Sequence, residues 1–515
     1  MKGTSGKRVL AGAAVALALA TGAGPAGAAS YELGGDARLS VNGYVRQWLS
    51  FNLNDMPETP DNDRWRTSMA RTQLRLDTTL TTPFLKLFAS GRAAGEVETG
   101  WLHDLERMGA AGGSDLMKKY NTLDLREAWA ESTFDRLTVR LGKQQVVWGE
   151  TDFFVASDMV HGFDYSWRAM LETENEELRK PLILANAILQ VPEVDGSLQA
   201  FVRPGLDRGR DIGNTFDTWG GRWSPQPYRG FWRDGFVGRD TRHPDGDVRD
   251  PTYGGRWRGM IAGDINYSLL YLRTFRPDPL VNPAANPYGG RTPGGMLGDD
   301  FHPTVNVFGA TASGYVSAID AVLSTEVAYI PDMPYNYDNL GGTGLYPAFL
   351  VSAGAIPSNA VGIRKTDLVR WMVRSDFNVD LRDVLGTDGS SFLSFQLFDS
   401  WHPGLKDSDN LLYWPGFQTK LKQHAFTLTG VLQLSYFNDT VKPGLAAGWD
   451  ISYGGGFVIP SVDFVIGDHL RIRAEADLFF ARGSQSSQSG GSDKVGFISF
   501  FDNNSQFVVR GTYQF

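Results

Sequence analysis

The sequence predicts an all-β protein: a transmembrane antiparallel β-barrel of about 18 strands, with long outer loops and short periplasmic turns. Three observations predict it. In the last eleven residues, 505–515, Phe507, Val509, Gly511, Tyr513 and Phe515 share one parity and Gln506, Arg510, Thr512 and Gln514 the other. That is the two-residue period of a strand with one apolar and one polar face, and it ends on an aromatic residue at the C-terminal carboxylate. Near the other terminus, residues 37–53 set Ala37, Leu39, Val41, Val45, Leu49, Phe51 and Leu53 against Arg38, Ser40, Asn42, Arg46, Ser50 and Asn52, so a first strand matches the last. Beyond the N-terminus no segment approaches eighteen consecutive apolar residues, which leaves a closed barrel as the one way to span a bilayer. The plainer alternative is an ordinary C-terminal edge strand of a soluble β protein.

The chain opens with Lys2, Lys7 and Arg8, an apolar run over 9–20 and small residues at Ala26, Gly27, Ala28 and Ala29. This is a secretory signal peptide over 1–29, too short in its apolar core to span a bilayer, and residues 30–515 form a single barrel domain. Removing its three positive charges takes the formal charge from −9 to −12, which argues against a nucleic-acid partner. With no cysteine the chain has no disulfide, no thiolate metal site and no haem attached through C-x-x-C-H, and no cofactor is implied. The expected location is integral in the outer membrane of a Gram-negative cell. Its expected partners are outer-membrane lipid, the barrel-assembly machinery during biogenesis, and a small-molecule solute or lipid.

The strands follow in order. Residues 70–80 put Leu74, Leu76 and Leu80 opposite Arg71, Gln73, Arg75 and Asp77; residues 84–96 put Leu85, Leu87, Ala89 and Ala93 opposite Lys86, Ser90, Arg92 and Glu96. A fourth strand, 124–131, has no clear inward face, and Leu137, Val139 and Leu141 then alternate with Thr138 and Arg140. Further strands are expected at 183–191, 198–203, 255–261, 265–275, 304–312, 316–329, 367–380, 391–401, 421–437, 445–453, 457–466 and 470–482. From a periplasmic N-terminus, connections after even strands should be short and those after odd strands long. Most obey, with turns expected at 262–264 and 313–315; the short connection at 454–456 is the exception, and 16 strands is the fallback count.

The inward parity carries Arg38, Arg46, Arg71, Arg75, Arg92, Arg140, Arg370, Arg374, Arg471, Arg473 and Arg510. Guanidinium groups facing lipid cost kilocalories each near the midplane, so these must line a wet or ion-paired lumen, structurally paired in part with Asp77, Glu96, Asp376, Glu475 and Asp477. The third outer loop, 148–182, starts at Trp148 and carries Glu150, Asp152, Asp158, Asp164, Glu172, Glu174, Glu176 and Glu177 against Arg168, Arg179 and Lys180. Such a loop is expected to be drawn into the lumen as a constriction; the alternative is a solvated surface loop with a helix over 166–178. A bulge at Gly142 is expected to turn Lys143 inward toward Glu150 or Asp152, with Gln145 beside it; otherwise Lys143 snorkels above the hydrocarbon edge. The fourth outer loop, 204–254, holds eight Arg and eight Asp among Trp219, Trp223, Tyr228, Phe231, Trp232 and Phe236, and reads as a lid. Within it Asp240, Asp245, Asp247 and Asp250 form a candidate calcium cluster without a known loop spacing, for which solvated charge is the plainer account.

The run LREAWAESTFDRLTVRLGKQQVVWGETDFF, then SDMVHGFDYSWR, NEELRKPL and GGRWRGMIAGDINYSLLYL, resembles the large proteobacterial outer-membrane family catalogued as domain of unknown function thirteen-oh-two. The resemblance is best over residues 125–272, centred on GKQQVVWGE, and this chain has His161-Gly162 where family members usually show Asn-Pro. It implies the compartment and the barrel, and a transport role.

Enzymatic readings find little support, since the seven histidines are scattered and only His103-Asp104 forms an adjacent dyad in an outer loop. A sheath for an electron conduit would need cytochrome partners. The reading is therefore an outer-membrane channel or transporter for small or amphipathic solutes. The alternative is a non-conducting outer-membrane component of an envelope assembly exporting lipids or hydrophobic compounds, with export partners.

Overall fold

A computed structural model of the chain describes residues 29–55, 61–107, 115–149, 154–170, 172, 174–208, 211–217, 221–223, 251–261, 263–281, 300–341, 355, 357, 359–413, 419–481 and 496–515. The signal peptide lies outside the described residues up to residue 28. Eighteen antiparallel strands form one closed sheet, each paired with its sequence neighbour. The first, β1 (Ala37–Asn52), pairs with the last, Gln506–Gln514, from Tyr44↔Gln514 to Asn52↔Gln506, so the barrel has no free edge. The backbone amide of Gly43 donates to the carbonyl of Phe515 at 2.8 Å, which places the terminal aromatic residue in the seam. Below that point the short strand Ala29–Gly34 doubles back on β1, with Ala29 opposite Val41.

In order, the next strands are β2 (Thr67–Thr81), β3 (Lys86–Glu96), β4 (Thr122–Phe134), β5 (Leu137–Gln144), β6 (Leu182–Val191), β7 (Gly196–Arg203), β8 (Thr252–Ile261) and β9 (Ile265–Phe275). They continue as β10 (Thr304–Val316), β11 (Ala321–Asp338), β12 (Val361–Val379), β13 (Ser391–Trp401), β14 (His424–Gln433), β15 (Val441–Asp450), β16 (Gly456–Ile466), β17 (Leu470–Phe480) and β18 (Gln506–Gln514). All eighteen expected strands are present and the fallback count of 16 is set aside. The turn that separates β8 from β9 contains Gly263 at φ +82°. The short outer connection between β15 and β16 is real, turning through Gly454 and Gly455 at positive φ.

Three local expectations are corrected. The turn expected at 313–315 lies in β10, where Ser313, Gly314 and Tyr315 pair with Ser324, Leu323 and Val322; the chain turns at Asp320, whose carboxylate accepts the Tyr315 hydroxyl at 2.6 Å. β11 and β12 also run past the expected ends, Met333–Asp338 pairing with Val361–Thr366 after a bulge at Pro331-Asp332. Finally, Gly142 is not bulged: its φ of +127° lets it pass Ala128 O, yet the pairing of β5 with β4 and β6 runs through it without a shift. The bulge sits one strand away in β4, where Ser90 faces Glu127 and Gly91 faces Leu125, leaving Arg126 as the extra residue. A bulge puts two neighbouring residues on one face, which explains why β4 lacked a readable inward side.

Outward positions are apolar and exposed, among them Leu76, Leu125, Leu141, Leu198, Leu269, Val327, Val373, Phe395 and Leu445. On adjacent strands Tyr253, Tyr271, Phe308 and Tyr329 form a continuous aromatic row with centroids 6.3, 5.2 and 6.5 Å apart. An apolar outer band edged by aromatic residues is what a barrel presents to lipid and headgroups.

Candidate functional site

The third loop crosses the lumen and is tied to both sides of it. On one side Glu174 takes a two-pronged ion pair from Arg46 of β1, both oxygens at 2.9 Å. Arg510 of β18 donates to Glu172 at 2.6 Å, and Arg75 of β2 to Glu176 at 2.8 Å. Arg168, buried, reverses the sense, reaching Glu475 and Asp477 on β17. On the far side the amide and hydroxyl of Ser157 donate to Glu326 of β11 at 3.1 and 2.7 Å. Trp148 is buried, its indole N–H donating to Gln199 of β7 at 2.9 Å, and Asp158 is held by Arg179 at 2.9 Å.

Glu177 is the centre of the arrangement. It accepts the Tyr44 hydroxyl at 2.5 Å and the Gln73 amide at 2.9 Å, with Arg75 at 3.1 Å and Arg92 at 3.5 Å. Burial alone would raise its pKa, but Arg92, the Tyr44 hydroxyl, Arg126 and Arg75 outweigh this and hold it at about 2. The bulged Arg126 donates to the carbonyls of Glu176 and Arg179 at 2.6 and 2.7 Å, clamping the same turn. These contacts replace the helix over 166–178: among the described residues of that range only Asn175–Leu178 is helical, and Ala169 sits at φ +46°. A continuous helix would point successive carboxylates around its axis, whereas here they are spread along one wall.

The fourth loop enters the lumen too. Arg222, fully buried, ion-pairs with Glu96 of β3 and donates to Ser68 O at 2.8 Å, while the Trp223 indole donates to Trp167 O at 3.0 Å. Gly162 packs so closely that a Cβ there would lie 1.9 Å from Gly213 O, and one on Gly213 would lie 2.2 Å from the His302 ring. Three outer loops are stacked through these two glycines. His161 accepts the Val146 amide at 2.8 Å through Nε2 and meets Lys180 O through Nδ1 at 3.0 Å. Burial, then Arg179, depresses its pKa to about 3, so it stays neutral and keeps that acceptor. Of the lid aromatics Trp219, Trp223, Tyr228, Phe231, Trp232 and Phe236, Trp223 alone is described; the others, and the Asp240–Asp250 candidate calcium cluster, lie outside the described residues.

Of the candidate lumen residues, Arg46, Arg75 and Arg92 meet the third loop directly, and Arg71 is buried against Tyr120 O at 2.7 Å with its guanidinium 4.8 Å from the Trp167 ring centroid. Asp164 caps a turn by accepting the Ser166 hydroxyl at 2.6 Å, and Gln145 bonds Glu127 at 3.2 Å. Lys143 lies 3.6 Å from Asp211 of the fourth loop, while Glu150 and Asp152, the expected partners, lie outside the described residues. Three arginines are elsewhere: Arg38 is exposed near Glu32 at the periplasmic rim, Arg140 pairs with Glu131, and Arg374 with Asp376. His103 bonds Glu98 and Asp104 is taken by Arg66, so no dyad forms there. Sequence reasoning placed Gln73 on an inward face without choosing it for the site, and missed Tyr44, Arg126 and Glu326; Tyr44 and Gln73 sit in the legible strands β1 and β2 and carry no charge to draw notice.

Toward the outer end, between this loop and β11–β15, lies a cavity of about 230 Å³. Rings from Phe163, Tyr165, Phe216, Tyr335, Tyr413 and Tyr453 line it, and Arg370 of β12 faces it. Near the periplasmic turns a second, polar cavity of about 340 Å³ is lined by Ser197, Arg256, Arg258, Asn266 and Ser268.

A closed barrel with an apolar, aromatic-edged exterior and a charged interior defines an integral outer-membrane protein. The chain belongs to the family described as Protein of unknown function (DUF1302), whose profile matches residues 9–515. No curated protein matches the sequence. Among solved structures it is similar to Salmonella typhi OmpF in complex with daunomycin, at 10% identity and TM-score 0.42, covering 95% of this chain and 100% of that one. It is also similar to Acinetobacter baumannii OccAB1, at 9% identity and TM-score 0.45, covering 92% and 96%. For opdK of Pseudomonas aeruginosa the values are 8%, 0.46, 93% and 98%.

Proposed function

We propose that this protein is an outer-membrane channel or transporter for small or amphipathic solutes, in which the third loop, backed by the inner part of the fourth, sets the constriction. The observation that carries the reading is the row of loop carboxylates, Glu172, Glu174, Glu176 and Glu177, set against Arg510, Arg46, Arg75 and Arg92. Paired charges set along one wall of a narrow lumen give it a local field that sorts solutes by charge and dipole. Polar and aromatic cavities on either side of this layer suit a path that takes amphipathic solutes.

The test is conductance of the refolded protein in a planar bilayer, beside a variant with all four glutamates changed to Gln. Steady conductance whose selectivity moves toward anions in the variant is expected. A second reading, the non-conducting component of an export assembly for lipids or hydrophobic compounds, draws on the buried inward side chains Leu184, Phe201, Leu270, Leu272, Val305 and Val307. Silence from both folded proteins favours that reading over the channel.

A further inference from the structure

We propose that the aromatic cavity beside Arg370 is a binding site for single-ring aromatic carboxylates, an inference that rests on the solute-passing role above and names its substrate class. The argument starts from charge. The carboxylates around the cavity already have donors: Asp158 takes Arg179 at 2.9 Å, Asp278 the Asn214 amide at 2.8 Å, Asp399 His424 at 2.8 Å and Asp450 the Tyr453 backbone amide at 2.8 Å. Arg276 is turned to backbone, donating to the carbonyls of Asp278 and Pro279. Arg370 differs from all of these. Its cross-strand neighbours are Ala328 and Ser400, neither able to neutralise it, and it has no hydrogen bond or ion pair among the described residues.

A half-buried guanidinium among rings, with no hydrogen bond or ion pair among the described residues, keeps its fork open to a solute, and a carboxylate matches that fork with two parallel hydrogen bonds. The rest of the wall asks for a ring. Tyr413 and Tyr453 are stacked with centroids 4.4 Å apart, and Tyr165 and Phe216 stand 5.3 Å apart. The volume, about 230 Å³, falls below the roughly 300–1,000 Å³ of sites for drug-sized ligands, which limits the occupant to about one ring and its acid group. A cationic ring would meet Arg370 with like charge, and a neutral one would leave it uncompensated.

The test is calorimetric titration of the full-length protein in detergent micelles with benzoate, benzamide and acetate. Benzoate is expected to bind about tenfold or more tighter than either, because only it supplies both ring and anion. Arg370→Gln should abolish the preference for benzoate while leaving benzamide binding unchanged, and Arg370→Lys should keep part of it, since a point charge lacks the fork. Wild-type protein that binds benzoate no better than benzamide overturns the site, as does a folded R370Q variant that binds benzoate as tightly as wild type. The wild-type comparison decides the matter alone if the variant does not fold. Conductance is read separately on the same preparation: conduction without benzoate preference defeats only this site, and benzoate preference in a silent protein defeats only the channel.

Discussion

Changing Glu177 to Gln removes one charge from the most densely bonded carboxylate of the third loop while keeping its shape. In the folded protein burial opposes ionisation, but Arg92, the Tyr44 hydroxyl, Arg126 and Arg75 hold the group at about 2, against an ordinary value of 4.5. That difference corresponds to about 3 kcal/mol favouring the docked loop at neutral pH. The sign follows from the depressed pKa: the stabilisation is fully present above pH 4.5 and is lost as pH falls from there through about 2. Barrel pairing does not pass through this side chain, so the loss should appear as local opening of the loop. About 3 kcal/mol corresponds to roughly a hundredfold rise in the open population. Hydrogen exchange reads it directly, since the Arg179 and Lys180 amides are bonded to Asn175 O and Gly162 O at 3.0 and 2.8 Å. E177Q should lower protection of these amides by about two orders of magnitude at pH 7. After correction for intrinsic exchange, the gap from wild type should close between pH 4.5 and 2. Protection unchanged at neutral pH, or a gap that persists below pH 2, refutes the reasoning.

Two further substitutions probe the packing. Arg168→Met removes the cation shared by Glu475 and Asp477, leaving Glu475 to Arg473 and the buried Asp477 with the Gln506 amide; the expected cost is about 3 kcal/mol, seen as a lowered midpoint in denaturant, and D477N in the same chain should restore most of it. Gly162→Ala drives a methyl group to 1.9 Å from Gly213 O, so the third and fourth loops must separate, and protease should cleave the 204–254 region faster than in wild type with the barrel intact.

The strands were readable because a membrane barrel gives each one two solvents, and the two-residue period records which face meets which. The same logic explains where the boundaries failed. Met333–Asp338 and Val361–Thr366 continue β11 and β12 above the bulge, where proline, glycine and polar residues break the alternation of apolar and polar side chains. The contrast between an acid-rich loop and an arginine-bearing wall was equally visible, but the partners were not. Glu177 gathers side chains from β1, β2 and β3, a meeting fixed by strand register and loop path. Gly142 drew attention because Lys143 and Gln145 fall on the parity that Leu137, Val139 and Leu141 give to lipid; the glycine does sit at positive φ, yet the extra residue is Arg126 on the neighbouring strand, where no glycine marks it. The Gly162–Gly213–His302 stack left no periodic trace at all.

The four loop glutamates are not equivalent, which allows the constriction to be divided into a part that holds position and a part that faces the path. The side chains of Glu172 and Glu177 are 1% exposed, while those of Glu174 and Glu176 are 39% and 55% exposed. Buried pairs are little screened by salt, whereas exposed pairs lose most of their interaction beyond a Debye length of roughly 8 Å at physiological ionic strength. Neutralising Glu172 and Glu177 should therefore loosen the loop, read as lost exchange protection, with a noisier conductance. Neutralising Glu174 and Glu176 should leave protection nearly intact and shift ion selectivity, by an amount that shrinks as salt is raised. If instead the buried pair alone carries the selectivity change, or the exposed pair alone the protection, the charges that anchor the loop and the charges that a solute meets have been assigned the wrong way round.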